Sequence, residues 1–218
     1  EQVAQRNIDV IFALDTSRSM LAEDLRPNRL ERAKQYIQDV MDHAVGDRFG
    51  LVIFGGRPTL KVPLTRDLAS MRIALDEITP RTGRRGGSML GDALRLSEEA
   101  LASGEDGFKT VILLTDGEDM GSYPVEAAAA AANAGIGIWT VGLGDAAEGG
   151  RIPVQVGGER IFLSHEGHEV WSKMNPTLLQ EIADAPPLFT KGVAAITAVA
   201  FKLAAPLTAP PTDPSAAR

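Results

Sequence analysis

The sequence contains no cysteine among its 218 residues. Disulfide bonds and thiol catalysis are therefore excluded. The absence leaves the cellular compartment open, because it suits the cytosol and the periplasm equally.

Basic clusters and long apolar runs are also scarce. Beyond Arg84-Arg85 the chain has no basic cluster, and its formal net charge is −7. These features argue against nucleic acid or an anionic membrane surface as the main partner. Gly192–Phe201 is apolar, but it is shorter than the roughly 20 residues of a membrane span. Glu1–Asn7 is polar, so we expect no signal peptide at the start of this sequence.

Two common catalytic motifs are missing as well. Gly-x-Ser-x-Gly, the nucleophile elbow of many hydrolases, does not occur. The glycine-rich stretch that ends at Ser88 lacks the lysine with which a P-loop reaches phosphates. Neither of these routes to catalysis is available to the chain.

The most informative segment that is present runs from Ile8 to Ser19. An uncharged run, Val10–Leu14, is typical of a strand buried on both faces of a parallel sheet. Three oxygen-bearing side chains then follow at alternate positions, namely Asp15, Ser17 and Ser19. One charged and two neutral oxygens suit a small hard cation such as Mg²⁺. In open α/β sheets, ligands bind beyond the carboxyl ends of the strands, where this turn is expected.

Taken alone, this segment is equally consistent with an ordinary turn, because Asp and Ser readily bond nearby backbone groups. Two further segments favour the metal. GGSMLGDAL, Gly86–Leu94, offers Ser88 just before a helix, where its hydroxyl can serve the cation or cap the helix. TVILLTDGED, Thr110–Asp119, is a second buried strand, and it delivers Asp116.

Together the three segments resemble the von Willebrand factor A-type (VWA) domain and its metal-ion-dependent adhesion site (MIDAS), over about Asn7–Asp184. The family's Asp-x-Ser-x-Ser motif is matched by Asp15, Ser17 and Ser19. The second site of the family is usually Thr and is Ser88 here, and the Asp of its Thr-Asp-Gly turn is matched by Asp116. SRSMLAEDLRPNRLERAK and LLTDGED are most similar to the bacterial membrane-associated branch, the Bat-type aerotolerance proteins.

The resemblance implies a protein-binding module that is not an enzyme. Its Mg²⁺, with Mn²⁺ or Ca²⁺ as alternatives, would accept an Asp or Glu side chain from a partner protein at an open position. The alternative is a Mg²⁺-dependent phosphoryl-transfer or hydrolytic enzyme on an α/β sheet. Against it, the first loop carries only one acid, and the metal loops contain neither Lys nor His.

Four further residues flank the predicted site. Glu118 and Asp119 are either close to the cation or solvated turn residues, and Arg84 and Arg85 either face solvent or contact the partner. We keep all four as possible partner-binding positions.

The alternation of strands with helices predicts an α/β fold with a mostly parallel sheet. The expected architecture is Rossmann-like and doubly wound, with one antiparallel edge strand and helices on both faces of the sheet. The VWA-type domain is expected to span 1–185, with a hairpin-like insertion at about 150–170 that Gly157-Gly158 signals.

The remaining residues, 186–218, form a Pro/Ala-rich tail that we expect to be poorly ordered. The Bat resemblance implies a bacterial cell-envelope protein anchored in the membrane by flanking segments outside this chain. The periplasmic and cytoplasmic sides both remain possible.

Overall fold

A five-stranded sheet forms the centre of the computed structural model, which describes residues 8–44, 46–80, 87–102 and 107–185. Its spatial order is third, second, first, fourth and fifth strand. The first strand is parallel to the second and fourth, the fourth is parallel to the fifth, and the third is antiparallel to the second. The strands are β1 (Ile8–Asp15), β2 (Arg48–Phe54), β3 (Thr59–Thr65), β4 (Phe108–Thr115) and β5 (Ile136–Gly142). This arrangement confirms the predicted mostly parallel sheet with one antiparallel edge strand.

Five α-helices of the described residues accompany the sheet, and polar side chains cap the starts of several of them. Asn28 accepts a hydrogen bond from the Glu31 N–H at 2.8 Å, and Asp67 accepts bonds from two N–H groups of the second helix. Such caps satisfy N–H groups that would otherwise lack partners at a helix start. The helices are α1 (Arg29–His43), α2 (Leu68–Asp76), α3 (Leu90–Ala102), α4 (Pro124–Asn133) and α5 (Pro176–Ala183).

Both faces of β1 are buried, as its uncharged sequence predicts. Phe12 and Leu14 pack in one core with residues of α1 and α2. Ile11 and Ala13 pack in a second core with residues of α3 and α4. Because successive side chains of a strand point to opposite faces, this single strand contributes to both layers of the fold. The helices therefore cover both faces of the sheet.

Between β5 and α5 the chain forms a set of nested hairpins over residues 150–172. The inner pairs are antiparallel, and the outermost pair joins the two ends of the segment. Gly157 and Gly158 have φ values of 61° and 88°, the left-handed conformation that a tight hairpin turn requires. The strands are β6 (Gly150–Arg151), β7 (Pro153–Val156), β8 (Glu159–Phe162), β9 (Ser164–His165), β10 (His168–Glu169) and β11 (Trp171–Ser172).

The tail beyond residue 185 lies outside the described residues. Within the described ranges, no helix combines the length and the apolar character needed to cross a membrane.

Candidate metal site

Two carboxylates lie at the carboxyl edge of the sheet, at the ends of neighbouring strands. Asp15 is the last residue of β1, and Asp116 directly follows β4. Leu14 and Leu114 are opposite each other in the parallel register, so the two acids leave the sheet one position apart on neighbouring strands. Both are 0% exposed. The sheet therefore places two buried acids together at the edge where such folds bind ligands.

The loop after β1 contributes two hydroxyl groups. Asp15 Oδ1 accepts a hydrogen bond from the Ser17 N–H at 2.8 Å, which folds the loop back over the strand end. The Oγ atoms of Ser17 and Ser19 are then 2.9 Å apart. The neighbouring Gly55 permits this loop, because a Cβ there would lie 2.7 Å from Ser17 N. The alternate spacing of the motif thus brings its polar side chains to one place.

Ser88 joins the same group from the loop before α3. Its Oγ donates to Asp15 Oδ2 at 2.8 Å, and Thr115 Oγ1 donates to the same oxygen at 2.7 Å. The side chain of Ser88 does not cap α3. That task falls to Asp119, which accepts the Leu90 N–H at 2.9 Å, and to Ser122, which accepts the Gly91 N–H at 2.7 Å.

The carboxylate of Asp116 is held on both oxygens. Its Oδ1 accepts the Glu118 N–H at 3.2 Å. Its Oδ2 accepts Arg29 Nη1 at 3.1 Å and Ser172 Oγ at 3.2 Å. Asp116 therefore links the carboxyl edge of the sheet to the start of α1 and to the end of the hairpin segment.

The flanking acids differ from each other in their surroundings. Asp119 uses its carboxylate inside the protein, because it accepts bonds from Leu90 and from the backbone and hydroxyl of Ser122. Glu118 is exposed at one side only: burial of the rest of its side chain, followed by the charge of Asp116, raises the pKa of its carboxyl, while Arg29 opposes the rise. Arg84 and Arg85 lie outside the described residues. Of the four, Glu118 keeps a carboxylate that is accessible beside the site.

Arg29 is the main site residue that motif matching does not reveal. It is 0% exposed, and its Nε and Nη2 atoms donate to the two oxygens of Asp24 at 2.8 and 2.6 Å. Nη1 reaches Asp116 and Ser172 Oγ, and Nη2 also reaches the carbonyl oxygen of Ser172 at 3.0 Å. A signal for its burial does exist. The inward face of α1, followed backward by helical spacing from Ile37 through Ala33, includes position 29.

The charges of the site explain why a cation fits it. Burial, followed by the charge of Asp116, raises the pKa of Asp15 to about 7, although hydrogen bonds from Thr115 and Ser17 oppose the rise. Two buried acids are costly unless positive charge accompanies them. The grouped donors are carboxylate and hydroxyl oxygens, the ligands that hard divalent cations prefer. The residues present therefore fit a divalent metal ion.

Comparison with known proteins identifies the class that this fold and site define. The von Willebrand factor type A domain model matches residues 10–118, a range that includes both aspartates and all three serines of the site. The chain belongs to the von Willebrand factor type A domain family. The family and fold predicted from the sequence are thus confirmed.

Within this family, solved structures of Bat-type proteins are similar to the chain. BatB from Bacteroides thetaiotaomicron is 32% identical, with a TM-score of 0.77 and coverage of 91% of this chain and 99% of that one. An aerotolerance-related membrane protein from Bacteroides fragilis is 28% identical, with a TM-score of 0.77 and coverage of 90% and 98%. The predicted Bat-type resemblance is therefore confirmed.

A more distant structural relative has a metal in its motif. Proximal thread matrix protein 1 from the mussel byssus, with a zinc-occupied MIDAS motif, is 28% identical, with a TM-score of 0.56. The match covers 63% of this chain and 36% of that chain. The chain also spans only 32% to 52% of the length of four curated bacterial relatives that it matches.

Proposed function

We propose that this chain is a non-enzymatic, metal-dependent protein-binding module. Mg²⁺ is held by Asp15, Ser17, Ser19, Ser88 and Asp116, and a partner protein supplies an Asp or Glu carboxylate to the metal. The observation that carries the proposal is the convergence of Ser88 and Thr115 on Asp15, which joins all three metal loops. The zinc-occupied MIDAS of the mussel protein supports a metal at the equivalent place.

The charge of the site accounts for an acidic partner. Asp15 and Asp116, both ionised, balance a divalent cation, and the serines add no charge. The positive charge of Arg29, which contacts Asp116, is balanced by its other partner, Asp24. Mg²⁺ favours six oxygens in an octahedron and keeps water where the protein supplies none. A partner carboxylate is a stronger ligand than that water, because it carries a full negative charge. Since the whole chain carries a net charge of −7, the attraction is local and depends on the metal.

The grouping of side chains also favours binding over catalysis. Among the described residues whose side chains hydrogen-bond to Asp15 or Asp116, none is a histidine or a lysine. A phosphatase assay of the purified domain with Mg²⁺ separates the two classes. Metal-dependent turnover that Asp15→Ala abolishes would establish the enzyme instead.

The partner interaction is tested by affinity capture from the source organism, with Mg²⁺ and with a chelator. We expect a protein that is retained only with Mg²⁺. Its exposed acids are then changed singly to Asn or Gln, and one such change is expected to abolish binding as completely as the chelator does. If every acidic position tolerates the change while the chelator still releases the complex, the cation only shapes the loops.

The cellular setting is part of the same proposal. The similar Bacteroides fragilis structure is that of a membrane protein, and the chain matches only parts of its curated relatives. We place the domain in the bacterial cell envelope, anchored through flanking segments outside this chain. Protease accessibility of the intact protein in spheroplasts distinguishes the periplasmic side from the cytoplasmic side.

Metal stabilisation is expected to depend on pH because of Asp15. Its pKa is about 7 in the folded metal-free protein, against about 4 in an unfolded chain, so folding favours its protonated form. This group therefore makes the metal-free domain less stable as pH rises from about 4 to about 7. The cation needs the ionised form, so excess Mg²⁺ should raise the melting temperature far more at pH 8 than at pH 5.5.

Melting curves across this pH range, with chelator and with excess Mg²⁺, provide the measurement. Asp15→Asn serves as the control, because it lacks the titrating carboxyl group. In chelator, this variant should not show the fall in melting temperature that Asp15 causes as the pH rises. An equal Mg²⁺ effect at pH 5.5 and pH 8 would contradict the role of Asp15.

Ser88→Ala is expected to weaken metal binding more than folding. Its buried hydroxyl donates to Asp15 while its oxygen can still face the cation, and Asp119 and Ser122 cap α3 without it. Loss of the hydrogen bond costs about 1 kcal/mol of stability. We expect metal affinity to fall by about tenfold or more, measured by calorimetric titration.

Ser97→Ala is the matched control for Ser88→Ala. Ser97 is also buried, and its Oγ donates to the Ala93 carbonyl at 2.7 Å within α3. Ser97→Ala should lose about as much stability as Ser88→Ala but keep the metal affinity of the parent. Equal metal affinities in the two variants would remove Ser88 from the ligand set.

A further inference from the structure

The two carboxylates of the site are held by the same pattern of hydrogen bonds. In each, Oδ1 accepts one backbone N–H from the residue two positions later, Ser17 for Asp15 and Glu118 for Asp116. In each, Oδ2 accepts two donors. A carboxylate oxygen has two lone-pair positions, so the described residues fill both positions of Oδ2, and Oδ1 is the less occupied oxygen of each carboxylate. Each aspartate therefore has one oxygen to offer a cation.

For Asp116, the two donors on Oδ2 are Arg29 and Ser172, which lie outside the metal-binding motif. Arg29 is tightly confined. Each of its five N–H donors has an acceptor, and a Cβ at Gly144 would lie 2.6 Å from atoms of the guanidinium group. The planar fork of the guanidinium fixes several acceptors at once, which a lysine ammonium does not do. Asp116 is consequently fixed in orientation.

We propose that Arg29, together with Ser172, is a positioning residue that sets the metal selectivity of the site. By occupying Oδ2, it restricts Asp116 to monodentate use of Oδ1. Mg²⁺ requires near-ideal octahedral geometry, whereas Ca²⁺ readily accepts bidentate carboxylates and more ligands. The arrangement therefore favours Mg²⁺ and Mn²⁺ over Ca²⁺. The inference rests on the proposed metal site and extends it to residues that make no contact with the cation.

Arg29→Lys and Ser172→Ala test this assignment. Mn²⁺ binding is measured by electron paramagnetic resonance, and the dissociation constants of Mg²⁺ and Ca²⁺ by competition with Mn²⁺. The ratio of the Ca²⁺ constant to the Mg²⁺ constant should fall by about tenfold in Arg29→Lys, as expected for losing a hydrogen bond to a charged group. In Ser172→Ala the ratio should fall by about threefold, a smaller effect because the lost donor is uncharged and Arg29 still donates to Oδ2.

A merely structural role predicts a different result, namely a lower metal-free melting temperature with an unchanged ratio. Arg48→Lys is the matched control. Arg48 Nε and Nη2 each donate to Asp9 at 2.7 Å, in a two-bond ion pair at the opposite end of β1. The ratio of the Ca²⁺ to the Mg²⁺ dissociation constant in Arg48→Lys should equal that of the parent.

The outcomes separate this inference from the proposed function. A parent protein that binds none of the three metals overturns both. A parent that binds them, with ratios unchanged in Arg29→Lys and Ser172→Ala, overturns the selectivity role alone. If Arg29→Lys does not fold, the ratio in Ser172→Ala decides.

Discussion

Replacing Asp15 with alanine is expected to abolish the stabilisation of the domain by metal. The side chain provides one of the two carboxylates proposed to hold the metal, and it is the acceptor on which Ser17, Ser88 and Thr115 converge. Without it, the loops lose both a charged ligand and their common anchor. A ligand that binds only the folded state raises stability by about 2.7 kcal/mol when its concentration is 100 times its dissociation constant. We expect that increment in the parent and none in Asp15→Ala.

Differential scanning calorimetry in chelator and in excess Mg²⁺ measures this effect directly. The result is the difference between the melting temperatures in the two buffers, so any effect of Asp15→Ala on the metal-free protein cancels.

 Asp47→Ala provides the control, because Asp47 bonds the Ile8 N–H at the far end of β1 and leaves the site intact. If Mg²⁺ raised the melting temperature equally in Asp15→Ala and in the parent, the metal assignment would be wrong.

Replacing Arg29 with methionine is expected to cost about 3–5 kcal/mol of unfolding free energy, the usual cost of removing one partner from a buried ion pair. The change leaves Asp24 and Asp116 without their cation, and their side chains are only 8% and 0% exposed. Hydrogen bonds from Arg29 and from the Asp145 N–H lower the pKa of Asp24 despite its burial, so its charge depends on these partners. Urea unfolding in chelator measures the loss without any contribution from metal.

Arg72→Met is the matched control for Arg29→Met. Arg72 pairs with Asp42 at the surface, where the two side chains are 43% and 54% exposed. Exposed pairs contribute about 0–1 kcal/mol. Similar losses in the two variants would show that the buried network around Arg29 has no special weight in the stability of the fold.

The fold was predictable because its signals are local. The uncharged run of β1, the caps Asn28 and Asp67, and the glycine pair of the hairpin each act within a few residues. The nearness of Asp15 and Asp116 followed from parallel strands whose carboxyl ends share one edge of the sheet. Periodicity and turn chemistry were sufficient for this part of the structure.

The second set of contacts around the site was not predictable in this way. Ser172 is 143 positions from Arg29 in the chain, and no local pattern marks it as a partner. For Asp119 the sequence left open a place near the cation and a solvated turn, yet its use as a cap for α3 depends on how two distant loops pack together. Such contacts are set by tertiary packing, which sequence spacing does not encode.

The complete use of the donors of Arg29 has a consequence for the evolution of the family. Its acceptors lie at Asp24, Asp116 and Ser172, far apart in the chain, and a change at one of them leaves a buried donor or charge unmatched. We therefore expect these positions to vary together in related sequences. In lineages where the arginine is replaced, the acid at position 24 should be replaced with it, whereas the acid at position 116 persists wherever the metal is still used.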